Sequence, residues 1–197
     1  MSPETVKTNY ERIQSEVGDG VTIVAATKYV SPEDMEVLVE AGVEVVGENR
    51  AQDLERKHAL YGDSFRWHFI GHLQSNKAKV VNQRCELVHS LDSESTAARL
   101  TVPALVEVNL AGEASKSGIP PEELPRFLEL YDAVRGLMTM PPATADPEGS
   151  RPYFRRLREL AEEHSLRELS MGTSQDYRVA AEEGATLVRI GSILYGE

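Results

Sequence analysis

The sequence predicts an α/β fold: a single (β/α)8 TIM barrel with an extra N-terminal helix. Short β-branched runs alternate with longer amphipathic segments through eight cycles, the order of strand, crossover helix and parallel strand. Eight cycles favour closure of the sheet, with an open doubly wound sheet as the other architecture this order allows. Two glycine-hydroxyl segments, Gly172-Thr173-Ser174 and Gly191-Ser192, follow the last two runs, where barrels commonly hold phosphate.

Taken in order, Glu4 to Val17 reads as the extra helix, with Val6, Ile13 and Val17 as a partial apolar face suited to covering the barrel's bottom. The strands are Val21 to Thr27, Val43 to Gly47, Arg66 to Ile70, Glu86 to Leu91, Ala104 to Leu110, Val134 to Met138, Glu168 to Met171 and Leu187 to Ile190. Ser31 has the position of an N-cap and Pro32 that of the first residue of a helix running to Glu40 and closed by Gly42. Ala51 to Tyr61 fills the second gap, and Tyr153 to His164, with Phe154, Leu157, Leu160 and Ala161 on one face, fills the sixth. The fourth helix has little room before Ala104, and the fifth runs through Tyr131 almost into Val134. Both are expected to be short. Pro141 to Pro152, rich in proline and small residues, reads as a loop on the face that carries active groups. Residues 1–197 are expected to form one barrel domain.

The chain has 197 residues, the bottom of the range for this fold (~200 upward), and 41% of them are apolar, enough for a core. Its net charge of -11 argues against a protein whose task is to grip nucleic acid or an anionic membrane surface. Cys85 is the only cysteine, which excludes an intrachain disulfide and fits a reducing cytosol. The N-terminus lacks a signal-peptide pattern, and no apolar stretch approaches the ~20 residues of a membrane span. A soluble, cytoplasmic protein is expected.

Lys28 sits at the C-terminal tip of the first apolar run. Burial there would disfavour its charged form and leave a nucleophilic amine that condenses with aldehydes and ketones; the plain alternative is a lysine that snorkels into solvent. After the seventh strand, Thr173 and Asp176 have capping-box spacing, and freed N–H groups with the Ser174 hydroxyl would favour an anion. Gly191-Ser192 repeats the pattern after the eighth strand, which closure brings beside Lys28. An aldehyde-reactive amine next to a phosphate cup points to pyridoxal phosphate, with a sugar-phosphate aldolase as the alternative. An inward Arg189 would donate to a pyridine nitrogen and keep it unprotonated, weakening the ring as an electron sink; facing outward, it would pair with a helix carboxylate. His68 reads as a hydrogen-bonded interior residue, and Asn109, Glu113, Ser115 and Lys116 as rim or loop residues. No metal-ligand spacing, serine triad, dinucleotide fingerprint or P-loop lysine is present.

The runs Ala26-Thr27-Lys28, Gly47-Glu48-Asn49, Trp67 to Lys77, Glu113 to Gly118, Gly136 to Met140, Leu169 to Ser174 and Val188 to Ser192 together resemble the pyridoxal phosphate homeostasis proteins. The resemblance spans nearly the whole chain, and the Trp67 to Lys77 run is its most specific part. It implies a barrel similar to the N-terminal domain of alanine racemase, with Lys28 as the internal aldimine. It further implies phosphate contacts from Ser174, Gly191 and Ser192, an Arg189 contact to the ring nitrogen, and pocket roles for Asn49 and Met138. Such proteins bind, store or deliver the cofactor, with pyridoxal-phosphate-dependent apoenzymes as partners, and no catalytic reaction is established for them. Relative to that family the chain is shortened near Arg99 to Val102 and Asp132 to Val134, which affects the fourth and fifth helices only. A racemase of this type also needs a second base from an additional C-terminal domain, whereas this sequence stops at Glu197. The expectation is a monomeric, non-catalytic carrier, with a racemase-type enzyme or a class I Schiff-base aldolase as the alternatives.

Overall fold

A computed structural model describes residues 1–113 and 117–196; Ser115 and Lys116 lie outside the described residues. The strands are β1 Thr22–Ala26, β2 Val45–Glu48, β3 Arg66–Phe69, β4 Leu87–Leu91, β5 Ala104–Glu107, β6 Val134–Met138, β7 Glu168–Thr173 and β8 Leu187–Ile190. Each pairs in parallel with the next, and β8 returns to β1 with Val24 opposite Arg189, which closes the barrel. The helices are α1 Pro3–Val17, α2 Met35–Glu40, α3 Ala51–Tyr61, α4 Ala78–Asn82, α5 Glu94–Ala97, α6 Leu124–Leu130, α7 Arg151–Glu163, α8 Tyr177–Glu182 and α9 Ser192–Tyr195.

Local chemistry accounts for several boundaries. Ser2 caps α1 by accepting a hydrogen bond from the Thr5 N–H at 3.2 Å, and Pro3 follows at the first helical position. The helix expected from Pro32 begins only at Met35. Ser31 Oγ donates to Asp34 Oδ2 at 2.8 Å and accepts from the Asp34 N–H at 3.1 Å, and this side-chain turn takes the place of the first helical turn. The fourth crossover shrinks to the single turn of α5 and the fifth to the seven residues of α6, as the spacing predicts. α7 buries Phe154, Leu157, Leu160 and Ala161, the face read from the sequence.

α1 does not cover the bottom of the barrel. It lies along the outside, packed on α2, α8 and α9, with Asn9 Nδ2 donating to the Leu194 carbonyl at 3.3 Å and Arg178 Nη2 to Glu16 Oε1 at 2.6 Å. The reason is α9: at four residues it is too short to cover the β8–β1 seam, so α1 takes the flank an eighth helix normally fills.

Apolar burial divides into two regions. Inside the barrel, Val24, Val45, Leu87, Leu105, Met138 and Leu187 pack together; a larger cluster fills the space between strands and helices, from Ile23 and Val46 to Leu54, Phe154 and Val188. The two clusters take alternate residues of the strands, as the pleat requires.

Candidate functional site

A cavity of about 850 Å³ opens at the C-terminal ends of the strands. Lys28, Asn49 and Met138 line it, as do Ser174, Arg189, Gly191 and Ser192. The seven residues come from the ends of β1, β2, β6, β7 and β8, and barrel closure brings together positions as far apart in sequence as 28 and 192.

Lys28 departs from the buried amine expected of a strand tip. β1 ends at Ala26, and the Lys28 side chain is exposed at the rim with Nζ 4.6 Å from the centroid of the Tyr29 ring. Burial therefore does not supply its activation in this structure. Its backbone, by contrast, is firmly held. Tyr195 donates its hydroxyl to the Ala26 carbonyl at 3.0 Å. Lys57 Nζ donates to the Thr27 carbonyl at 2.7 Å and pairs with Glu48, whose Oε1 also accepts the Thr27 hydroxyl at 2.6 Å. Glu48 and Lys57 are both buried. The chain just before Lys28 is thus pinned from two directions, while the amine itself has only the Tyr29 ring beside it among the described residues.

The two glycine-hydroxyl segments meet each other. Ser174 Oγ accepts the Gly191 N–H at 3.0 Å, which leaves the Ser174 hydroxyl hydrogen available to an anion. The N–H groups of Ser192 and Ile193, in the first turn of α9, have no intrahelical acceptor. A Cβ placed on Gly191 would reach only 4.0 Å from Ala26 Cβ and Ser174 Oγ, so the glycine leaves room in front of the cup. The expected capping box forms by half: Asp176 Oδ1 accepts from the Thr173 N–H at 2.7 Å and from its hydroxyl at 3.1 Å. Gly172, at φ +91°, makes the turn; a Cβ there would lie 2.6 Å from Ala180 Cβ.

Arg189 points inward. It is 6% exposed and makes no ion pair with a described residue. Nη1 donates to Ser170 Oγ, and Nη2 donates to the Thr139 carbonyl at 3.0 Å and contacts Met140 Sδ at 2.9 Å. Burial lowers its pKa to about 10, so it stays charged at neutral pH. Just past the end of β2 Asn49 Oδ1 is buried with no hydrogen-bond partner, and Gly71 allows the close approach that sets this residue, since a Cβ at Gly71 would come 2.2 Å from the Asn49 carbonyl oxygen. Glu107 lines the cavity too, 4% exposed; burial raises its pKa against the lowering effect of the Ser117 hydroxyl, which donates to Oε1 at 2.5 Å.

Glu107, Thr139, Ser170 and Tyr195 went unremarked in the sequence as site residues. Ser170 and Thr139 carry no local signal; alternation along β7 would have aimed Ser170 inward only once its register was known. His68 is the interior hydrogen-bonding residue expected of it.

An amine at the rim, a hydroxyl and N–H cup, a buried guanidinium and an unsatisfied amide suit a small ligand with an aldehyde, a phosphate and an aromatic nitrogen. The fold and this donor set define a barrel of the alanine racemase type, and the family of the alanine racemase N-terminal domain matches residues 1–197. A pyridoxal phosphate homeostasis protein of Aquifex aeolicus is 43% identical, with 89% of this chain and 86% of that protein covered. One from Pseudomonas aeruginosa is 42% identical, with 79% and 75% covered. The structure of PipY from Synechococcus elongatus with PLP bound is 31% identical over 97% of this chain and 100% of that one, with a TM-score of 0.85. The chain belongs to the pyridoxal phosphate homeostasis protein family.

Proposed function

We propose that the protein binds pyridoxal phosphate in the cavity at the strand ends and holds it for intracellular supply, with residues 1–197 acting as one cofactor-binding barrel. The observation that carries this reading is the convergence of Lys28, the Ser174–Gly191 cup and the buried Arg189 on one cavity. Bound pyridoxal phosphate supplies an aldehyde that reacts with amines and a pyridine ring that draws electrons. Lys28 provides the amine for covalent attachment, and the pinned Thr27 backbone fixes its origin. The Ser174 hydroxyl and the N–H groups of Ser192 and Ile193 bind phosphate oxygens, with Gly191 giving clearance. Arg189 donates to the ring nitrogen, and Asn49 and Met138 line the walls.

This arrangement favours a carrier over a catalyst. A permanently charged donor at the ring nitrogen keeps that nitrogen unprotonated and limits its use as an electron sink. The exposed Lys28 head leaves the attachment point open for hand-over to apoenzymes of the cytoplasm by a monomeric barrel. No helix among the described residues is long and apolar enough to cross a membrane. One observation favours a racemase-type enzyme: Glu107, a buried carboxyl of raised pKa on the cavity wall, has the character of a general acid. Loaded protein separates the two readings. A carrier restores activity when mixed with the apo form of a pyridoxal-phosphate-dependent enzyme and turns over no amino acid by itself; sustained amino-acid turnover lost in Glu107→Gln would overturn it.

A further inference from the structure

Behind Arg189 a line of hydrogen bonds crosses the whole barrel. Arg189 Nη1 meets Ser170 Oγ; Ser170 Oγ lies 2.7 Å from His89 Nδ1; His89 Nε2 lies 2.9 Å from His68 Nδ1; and His68 Nε2 lies 3.1 Å from Glu86 Oε1. Arg189, Ser170, His89 and His68 are all buried. Arg189 is near the C-terminal end of β8, whereas Glu86 immediately precedes β4, at the opposite mouth. There its side chain is 42% exposed, and Oε1 also receives Arg66 Nε at 2.7 Å.

With both imidazoles neutral, the ends of this line fix its direction. A guanidinium only donates, so Ser170 Oγ accepts from Arg189 and its single hydrogen goes to His89 Nδ1. His89 then carries its proton on Nε2 and gives it to His68 Nδ1, and His68 carries its own on Nε2, facing Glu86. An ionised carboxylate only accepts, so the far end demands the same order. Every donor points away from the cation and every acceptor lone pair toward it, an alignment in which successive bonds polarise one another. Burial chiefly, with the charge of Arg189, pushes the His89 pKa well below the ordinary histidine range, in keeping with a neutral ring.

We propose that His89 is a positioning residue for Arg189: through Ser170 it fixes the guanidinium against the inner wall of the cavity, and through His68 it links that cation to Glu86 at the far mouth of the barrel. The inference rests on Arg189 facing the ring nitrogen of bound pyridoxal phosphate, and it adds a cause for the guanidinium's orientation. Arg189 is buried without an adjacent carboxylate, an arrangement that is costly unless its field is answered. The aligned line adds to the fields of Glu107 and Asp176, which act on the cation without touching it, and it leaves the outer donors of the guanidinium uncovered by a carboxylate.

The first test needs no cofactor. Nitrogen-15 NMR of histidine-labelled protein at neutral pH is expected to show His68 and His89 both neutral and both protonated on Nε2. A proton on His89 Nδ1, or a doubly protonated His68, overturns the proposal. The second test uses protein loaded with pyridoxal phosphate. Ser170→Ala is expected to release the cofactor about tenfold faster, the scale of one hydrogen bond to a charged group, and to shift its visible absorbance, while Ser170→Thr, which keeps the hydroxyl, restores both. His89→Phe is expected to behave like Ser170→Ala, which covers the case in which this buried substitution fails to fold. Normal release and an unshifted band in Ser170→Ala overturn the positioning role alone. Wild-type protein that takes up no pyridoxal phosphate overturns the site reading and this role with it.

Discussion

Two buried cations stand beside the cavity and are held in opposite ways. Lys57, 3% exposed, is ion-paired to the fully buried Glu48 and also donates to the Thr27 carbonyl. Its charge is answered at once, and the cluster is closed. Arg189, 6% exposed, has neutral partners in Ser170 and Thr139, and its nearest carboxylate influences, Glu107 and Asp176, act without contact. The difference separates a charge used to build the wall from a charge that only neutral groups meet among the described residues, the one proposed above to face a ligand. The same fold holds the backbone before Lys28 rigid on one side and keeps a donor in reserve on the other.

Substitution at the closed cluster has the largest expected effect. Lys57→Met leaves Glu48 buried without its counter-charge, and chemical denaturation is expected to show a loss of about 3–5 kcal/mol. Removing both charges in a Glu48→Leu, Lys57→Met double variant recovers most of that loss, because neither residue needs the cavity. Arg189→Met reverses the pattern. It costs about 1–2 kcal/mol of stability through the acceptors it abandons, yet equilibrium titration is expected to show pyridoxal phosphate affinity lower by roughly tenfold to a hundredfold. If both substitutions changed stability alone, the two cations would be structural equivalents.

The smallest effect lies away from both, where α1 docks on α8. Arg178 chiefly, with Tyr177 and Arg12, holds the Glu16 carboxyl down at about 2 against an ordinary value of 4.5. A folded pKa below the unfolded one stabilises the fold at pH above 4.5, and that contribution is lost as pH falls through about 2. Denaturation of wild type and Glu16→Gln across this window is expected to give a stability difference that is constant above pH 4.5 and vanishes near pH 2.

Much of the fold was legible because its signals are local. Strand runs such as Arg66 to Ile70, observed as Arg66–Phe69, and Leu187 to Ile190, and the apolar face Phe154, Leu157, Leu160 and Ala161, follow from periodicity within a few residues. The placement of the two glycine-hydroxyl segments was legible for a similar reason: they punctuate the ends of β7 and β8. What stayed hidden depends on closure. His89, Ser170 and Arg189 come from three strands and meet only across the barrel interior. Lys57 reads as an ordinary polar position of α3 until Glu48 and Thr27 are brought against it. The flank position of α1 depends on the shortness of α9, and the exposure of Lys28 on β1 ending at Ala26.

The central claim is that Lys28 is the attachment point for pyridoxal phosphate. Purified protein is loaded with the cofactor, reduced with borohydride, digested and analysed by mass spectrometry. The account predicts a cofactor-sized addition on the peptide containing Lys28 and none in Lys28→Ala. Addition at another lysine, or unchanged labelling in Lys28→Ala, would contradict it.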